Sequence, residues 1–124
     1  MPMRTSVFVV DDDLSMRAGI MRLLRAYGFS STLFDSADAI LRHDNFGQAL
    51  CVILDIDLTG ESGVAVSRRL ADKGIRLPVI FITGKDSETA CAATAELGCV
   101  AYLTKPFSAA SLIEPIERMR ATAA

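Results

Sequence analysis

Four short apolar runs punctuate the chain, and each stops on a polar residue. Val7-Phe8-Val9-Val10 stops at Asp11-Asp12, and Leu50-Cys51-Val52-Ile53-Leu54 stops at Asp55. Val79-Ile80-Phe81-Ile82 stops at Thr83-Gly84, and Ala101-Tyr102-Leu103-Thr104 at Lys105-Pro106. Runs of this length with little polar alternation predict strands buried on both faces. Between them the period changes. Met16, Ile20, Leu23, Leu24 and Tyr27 mark one face of a helix that Gly28 can stop in a left-handed conformation. Phe29 to Phe34 alternates as a second strand, and Ser36 can cap a short helix through Leu41. A helix is predicted over Gly63 to Asp72, with Gly74 near its end. Pro78 opens the next strand, where a missing N–H is tolerated. Ser87 can cap an alanine-rich helix ending before Gly98, and Ser108 the last one, whose apolar face is Leu112, Ile113, Ile116 and Met119.

Strand and helix signals thus alternate five times, which predicts an α/β fold: a parallel sheet with helices on both sides and right-handed crossovers. Pro115 lies too deep in the last helix for the first turn and should bend it. In a parallel sheet the strand C-termini open onto one edge, where ligands bind. Asp11, Asp12 and Asp55 would meet there. Two carboxylates about 4 Å apart repel by roughly 4 kcal/mol at an effective dielectric of 20, so three together call for a cation. Taken singly they would read as helix caps or solvated acids; following neighbouring strands, they read as a site. Oxygen-only donors favour Mg²⁺ (or Mn²⁺) over zinc. Asp55 ends the most continuous apolar run and is the candidate nucleophile, since a carboxylate can attack phosphorus to give an acyl phosphate. The cation would neutralise one phosphoryl oxygen, the Lys105 ammonium a second, and the Thr83 hydroxyl with the Gly84 N–H the third. Alone, Thr83 would be a β-branched strand residue and Lys105 a solvated lysine. Pro106 favours the functional reading of Lys105, because a Lys-Pro peptide that is cis could aim its side chain.

At 124 residues the chain is long enough for one domain and one core, and it is read as a single unit over 1–124. Its 51% hydrophobic content suits a sheet covered on both faces. A net charge of −2 gives no footprint for direct nucleic-acid binding. No apolar stretch reaches the roughly 20 residues of a membrane span, and with no apolar leader the expected location is cytoplasmic. Cys51, Cys91 and Cys99 form neither a CxxC pair nor a cluster with His43, which argues against zinc and a disulfide framework. Cys51 is expected to be a small buried hydrophobe and His43 a solvated loop residue.

With these residues in view, the chain resembles the receiver domains of two-component response regulators. The matching segments are Val9-Val10-Asp11-Asp12-Asp13, Asp55 with Gly63 eight residues on, Ile82-Thr83-Gly84 and Lys105-Pro106-Phe107. Their order is far more specific than any one of them. Tyr27-Gly28-Phe29 and Phe34-Asp35-Ser36-Ala37 look most like receivers of the nitrogen-fixation transcriptional regulator type. The resemblance implies a flavodoxin-like (βα)5 three-layer sandwich with a five-stranded parallel sheet in the order 2-1-3-4-5. It implies that Asp55 is the phosphoacceptor for a sensor histidine kinase or phosphotransfer protein, in a signalling domain that is not an enzyme in the ordinary sense. Asp12 would ligate Mg²⁺ directly, Asp11 mainly through water, and Asp57 through its backbone carbonyl. Thr83 and Lys105 would bind the phosphoryl group, and Thr83 with Tyr102 would form the switch. Asp57 and Lys85 would flank the phosphate and tune its hydrolysis, and they are expected to pair across the site. The face made by the fourth helix, fifth strand and fifth helix would then dimerise or bind a partner. One departure stands out: Thr59 replaces the family's usual proline four residues after the acceptor, which predicts a more mobile loop over Leu58 to Ser62. No output domain follows the last helix in this chain, so a stand-alone receiver and a fragment of a transcription factor both remain open.

Three rivals share parts of this pattern. Asp55-Ile56-Asp57-Leu58-Thr59 fits the DxDxT signature of haloacid-dehalogenase-like phosphatases, with Asp55 as nucleophile and Asp57 as general acid. That family places the signature after its first strand and an acidic pair after its lysine, whereas here the acidic pair is Asp11-Asp12. A flavodoxin-like FMN binder would need a hydroxyl- and glycine-rich loop where Asp11-Asp12-Asp13 stands. A phosphorylation-independent adaptor is disfavoured by the intact acidic set and Lys105, while Thr59 leaves it open.

Overall fold

A computed structural model describes residues 6–85 and 87–123. Five strands, β1 (Ser6–Val10), β2 (Ser30–Phe34), β3 (Ala49–Asp55), β4 (Val79–Thr83) and β5 (Ala101–Thr104), alternate with α1 (Leu14–Ala26), α2 (Ala37–Leu41), α3 (Gly63–Asp72), α4 (Glu88–Glu96) and α5 (Ala109–Ala123). All pairings are parallel, and the strand order is β2-β1-β3-β4-β5. The five-stranded flavodoxin-like order that the sequence implied is therefore present.

Alternation along each strand divides the core into two layers. Phe8, Val10, Val52, Leu54 and Phe81 face α2 and α3, where Ile40, Val66 and Leu70 meet them. Val7, Val9, Cys51, Ile53, Ile80 and Ile82 face α1 and α5, where Ile20, Leu24, Leu112, Ile113 and Ile116 meet them. All seven residues of β3 are buried, as its unbroken apolar run requires. Burial pushes the Cys51 thiol up to about 12, so it is an inert core residue.

Side-chain caps set the helix starts. Asp13 accepts from the N–H groups of Ser15 and Met16, Ser36 from Ala39, Ser62 from Ala65 and Ser87 from Ala90. Gly28, Gly74 and Gly98, each just past a helix, have φ of 87°, 82° and 72°, the left-handed region that favours glycine. Pro115 is buried within α5, which runs unbroken from Ala109 to Ala123. α4 is the exception in packing: of its residues, Thr94 alone is fully buried. His43 differs from its expected solvated state. Its ring stands edge-on to Phe8, Phe34 and Phe46 at 5.3, 5.2 and 5.3 Å. The apolar ring edge outweighs hydration there, while Nε2 keeps a hydrogen bond to the Asn45 carbonyl.

Candidate phosphoacceptor site

Strand register brings the polar strand ends together. Val10 pairs with Leu54, so Asp11 emerges beside Asp55, and Asp55 itself pairs with Ile82. Thr83 pairs with Thr104, and Lys105 follows. β5 stands two strands from β3, about two spacings of 4.8 Å, a gap that only a long side chain can cross. Lys105 crosses it. Its Nζ lies 3.1 Å from Asp11 Oδ2 and 3.1 Å from Asp55 Oδ2. The Lys105-Pro106 peptide is cis.

The three consecutive aspartates do three different things. Asp11 is fully buried, pairs with Lys105 and accepts from the Asp13 N–H at 2.9 Å. Its carbonyl accepts from Arg17 Nη1 at 2.8 Å. Asp12 is exposed, and its Oδ2 accepts from both the N–H and the hydroxyl of Thr59, at 3.1 and 2.7 Å. Asp13 caps α1. One oxygen from each of Asp11, Asp12 and Asp55 lies within 4.8 Å of the others.

Asp55 is 2% exposed. Burial raises its carboxyl above the ordinary aspartate value, and the Asp11 charge adds to this, against the Asp57 N–H and Lys105. Burial opposes the Lys105 ammonium, yet its hydrogen bonds to Asp11 and Asp55 and their charges outweigh that cost, so its pKa is raised. The Thr59 hydroxyl, above all, holds Asp12 below the usual carboxylate value. Asp55 is thus harder to keep ionised than an ordinary aspartate, even with the Lys105 ammonium beside it. Three hard oxygen donors with no nitrogen or sulfur beside them fit Mg²⁺ or Mn²⁺ and do not fit zinc.

The loop after Asp55 is anchored rather than loose. Leu58 is buried, Thr59 holds Asp12, and the Gly63 N–H donates to the Ile56 carbonyl at 2.9 Å. A Cβ at Gly63 would sit 2.2 Å from the Asp55 carbonyl oxygen, so only glycine lets α3 start against Asp55. The expected mobility from losing a proline is offset by two hydrogen bonds that proline could not make with its own N–H or side chain.

The expected pairing of Asp57 with Lys85 is not formed. Asp57 Oδ2 instead accepts from the Thr83 hydroxyl at 2.7 Å and the Gly84 N–H at 3.0 Å. Lys85 is exposed and contributes its backbone, donating its N–H to Thr83 Oγ1 at 3.1 Å. A carboxylate on the neighbouring loop reaches two convergent donors, whereas a solvated ammonium gains little from a surface pair. Tyr102, in register with Phe81, packs half-buried against the core layer under α2 and α3. Two features were not foreseen from sequence: the Thr59–Asp12 link and the Asp57 contacts with Thr83 and Gly84. Only the odd Thr59 signalled the first. Nothing local signalled the second, which spans 26 residues.

Comparison with known proteins agrees with this geometry. The family model described as "Response regulator receiver domain" matches residues 7–117. Nodulation protein W of Bradyrhizobium diazoefficiens is 36% identical over 110 residues, covering 89% of this chain and 48% of that protein. Sensory transduction protein RegX3 of Mycobacterium tuberculosis is 38% identical over 112 residues, covering 90% and 49%. The chain therefore spans about half the length of the curated relatives it matches. Among solved structures, a response regulator receiver protein from Pseudoalteromonas atlantica superposes with a TM-score of 0.90 at 20% identity, covering 96% of this chain and 99% of its own. FixJ-N superposes with a TM-score of 0.82 at 29% identity, covering 96% and 95%.

Proposed function

The chain belongs to the response regulator receiver domain family of two-component signalling, and on that premise we propose that Asp55 is its phosphoacceptor. The observation that carries the assignment is Lys105 Nζ at 3.1 Å from the carboxylates of both Asp11 and Asp55. A carboxylate oxygen of Asp55 attacks the phosphorus of a phosphohistidine on a sensor kinase or phosphotransfer protein. The O–P bond forms, the P–N bond breaks, and the departing imidazole keeps the electron pair and takes a proton. Lys105 holds one phosphoryl oxygen, and the Thr83 hydroxyl with the Gly84 N–H holds another. Asp11, Asp12, Asp55 and the Asp57 carbonyl would hold Mg²⁺, which supplies charge neutralisation for the phosphoryl oxygens. Hydrolysis by water at phosphorus restores the carboxylate.

Asp57 gives the resting state a definite form. Its carboxylate occupies the same two donors that a phosphoryl oxygen needs, so phosphorylation exchanges one anion for another at Thr83 and Gly84. Freed from Asp57, Thr83 moves toward the phosphoryl group and Tyr102 turns into the space it leaves. The α4-β5-α5 face is then reshaped by a shift between two packings. The thin burial of α4 suits it to that motion. The domain works as the phosphoacceptor module of a cytoplasmic signalling protein, without membrane or direct nucleic-acid contact. The phosphatase reading is disfavoured, because Asp57 is engaged by Thr83 and Gly84 rather than free to deliver a proton.

The test is transfer from a phosphorylated histidine phosphotransfer domain. Label should pass to this chain in the presence of Mg²⁺, be released by hydroxylamine as an acyl phosphate is, and fail to pass to Asp55→Asn. Label retained by Asp55→Asn at the wild-type level contradicts the assignment.

A further inference from the structure

Thr59 stands out because two of its donors converge on one atom. Its N–H and its hydroxyl both reach Asp12 Oδ2, at 3.1 and 2.7 Å, across 47 residues of chain. Asp12 is otherwise an exposed side chain on the loop after β1. Without Thr59 its carboxylate would rotate freely in solvent, and a cation would have to order it at an entropic cost. The link joins the β1–α1 loop to the β3–α3 loop, the two segments that supply Asp11, Asp12 and Asp55. The far side of the Thr59 loop is fixed by the buried Leu58 and by Gly63 against the Asp55 carbonyl. Thr59 is therefore a firm support rather than a companion floating with Asp12.

We propose that Thr59 is a positioning residue for the divalent cation: it fixes Asp12 in the direction that ligation requires and so strengthens cation binding at the phosphoacceptor site. A carboxylate offers about four lone-pair sites on two oxygens. Two hydrogen bonds to Oδ2 leave all of Oδ1 for a cation. Groups that orient a ligating carboxylate are commonly worth about 10- to 100-fold in metal affinity. Two donors on one oxygen place this pair at about tenfold. A proline at this position would supply neither donor, so this chain orders its metal ligand by a device that a proline-bearing receiver lacks.

The inference rests on the cation-binding role assigned to Asp12, and the experiment separates the two. Cation affinity is measured by Mn²⁺ electron paramagnetic resonance and by Mg²⁺ competition on wild type, Asp12→Asn, Thr59→Val, Thr59→Ser and Thr59→Pro. Melting of each metal-free variant reports folding. Thr59→Val keeps the shape and the N–H and should bind several-fold more weakly. Thr59→Pro should bind about tenfold more weakly, and Thr59→Ser close to wild type. Equal or tighter binding by Thr59→Val and Thr59→Pro, with Asp12→Asn still impaired, would overturn the role of Thr59 alone. Binding by Asp12→Asn equal to wild type would overturn the cation site and the inference together. The serine variant also guards against a purely structural effect, since only a hydroxyl donor restores affinity.

Discussion

At the scale of single residues, the site is a contest between burial and charge. Asp55 is enclosed for rigidity, and enclosure raises its pKa above 3.8, the ordinary aspartate value. In the metal-free protein the fold holds the Asp55 proton more tightly than the unfolded chain does. Its contribution to stability is complete below the unfolded pKa and is lost as pH rises through the folded pKa. Cation binding runs the other way, because it needs the carboxylate. Mg²⁺ affinity should therefore fall on acidification at pH values above 3.8, before an ordinary aspartate would protonate. Isothermal titration across pH checks this, and an affinity that falls to half only at or below pH 3.8 contradicts it. The candidate residues Asp11, Asp12, Asp55, Thr83 and Lys105 were legible in the sequence because each ends an apolar run. The differing work of Asp11, Asp12 and Asp13 was not, because adjacent residues of one type carry no label for direction.

Elements reveal what residue types conceal. The boundaries of α3 and the caps Ser36 and Ser87 follow from local chemistry and match the structure. Contacts between loops do not follow from local chemistry, and the misplaced pairing of Asp57 is the clearest case. Its donors arrive from the β4 end, set by sheet order and not by nearby sequence. That contact yields an expectation for the β3–α3 and β4–α4 loops together. Asp57→Ala removes the internal anion but keeps the backbone carbonyl proposed for the cation. Thr83 and Gly84 should then be free for a phosphoryl mimic, and beryllofluoride should bind about fivefold or more tightly, the scale of one hydrogen bond of about 1 kcal/mol. Weaker binding, measured by titration of tyrosine fluorescence, would show that Asp57 supports the phosphorylated form instead.

For the whole molecule, the order β2-β1-β3-β4-β5 puts Asp55, the proposed acceptor, at the end of a central strand and the proposed switch residues Thr83 and Tyr102 toward the β5 edge. Under the proposed switch, a change at Thr83 would pass to α4, of whose residues Thr94 alone is fully buried. We expect beryllofluoride with Mg²⁺ to convert the domain from monomer to dimer through α4-β5-α5, as sedimentation velocity would show; an unchanged monomer would limit the switch to partner binding. The fivefold alternation predicted the layers, while strand order came from family likeness, since hydrophobic pattern does not say which strands are neighbours. The central claim is that three acids, a hydroxyl and an ammonium converge to make Asp55 reactive toward phosphorus. Intact-protein mass spectrometry after incubation with acetyl phosphate and Mg²⁺ tests it most directly. A gain of one phosphoryl group, absent without Mg²⁺ and absent in Asp55→Asn, is the predicted result. An unmodified wild-type mass, or the same gain in Asp55→Asn, would contradict it.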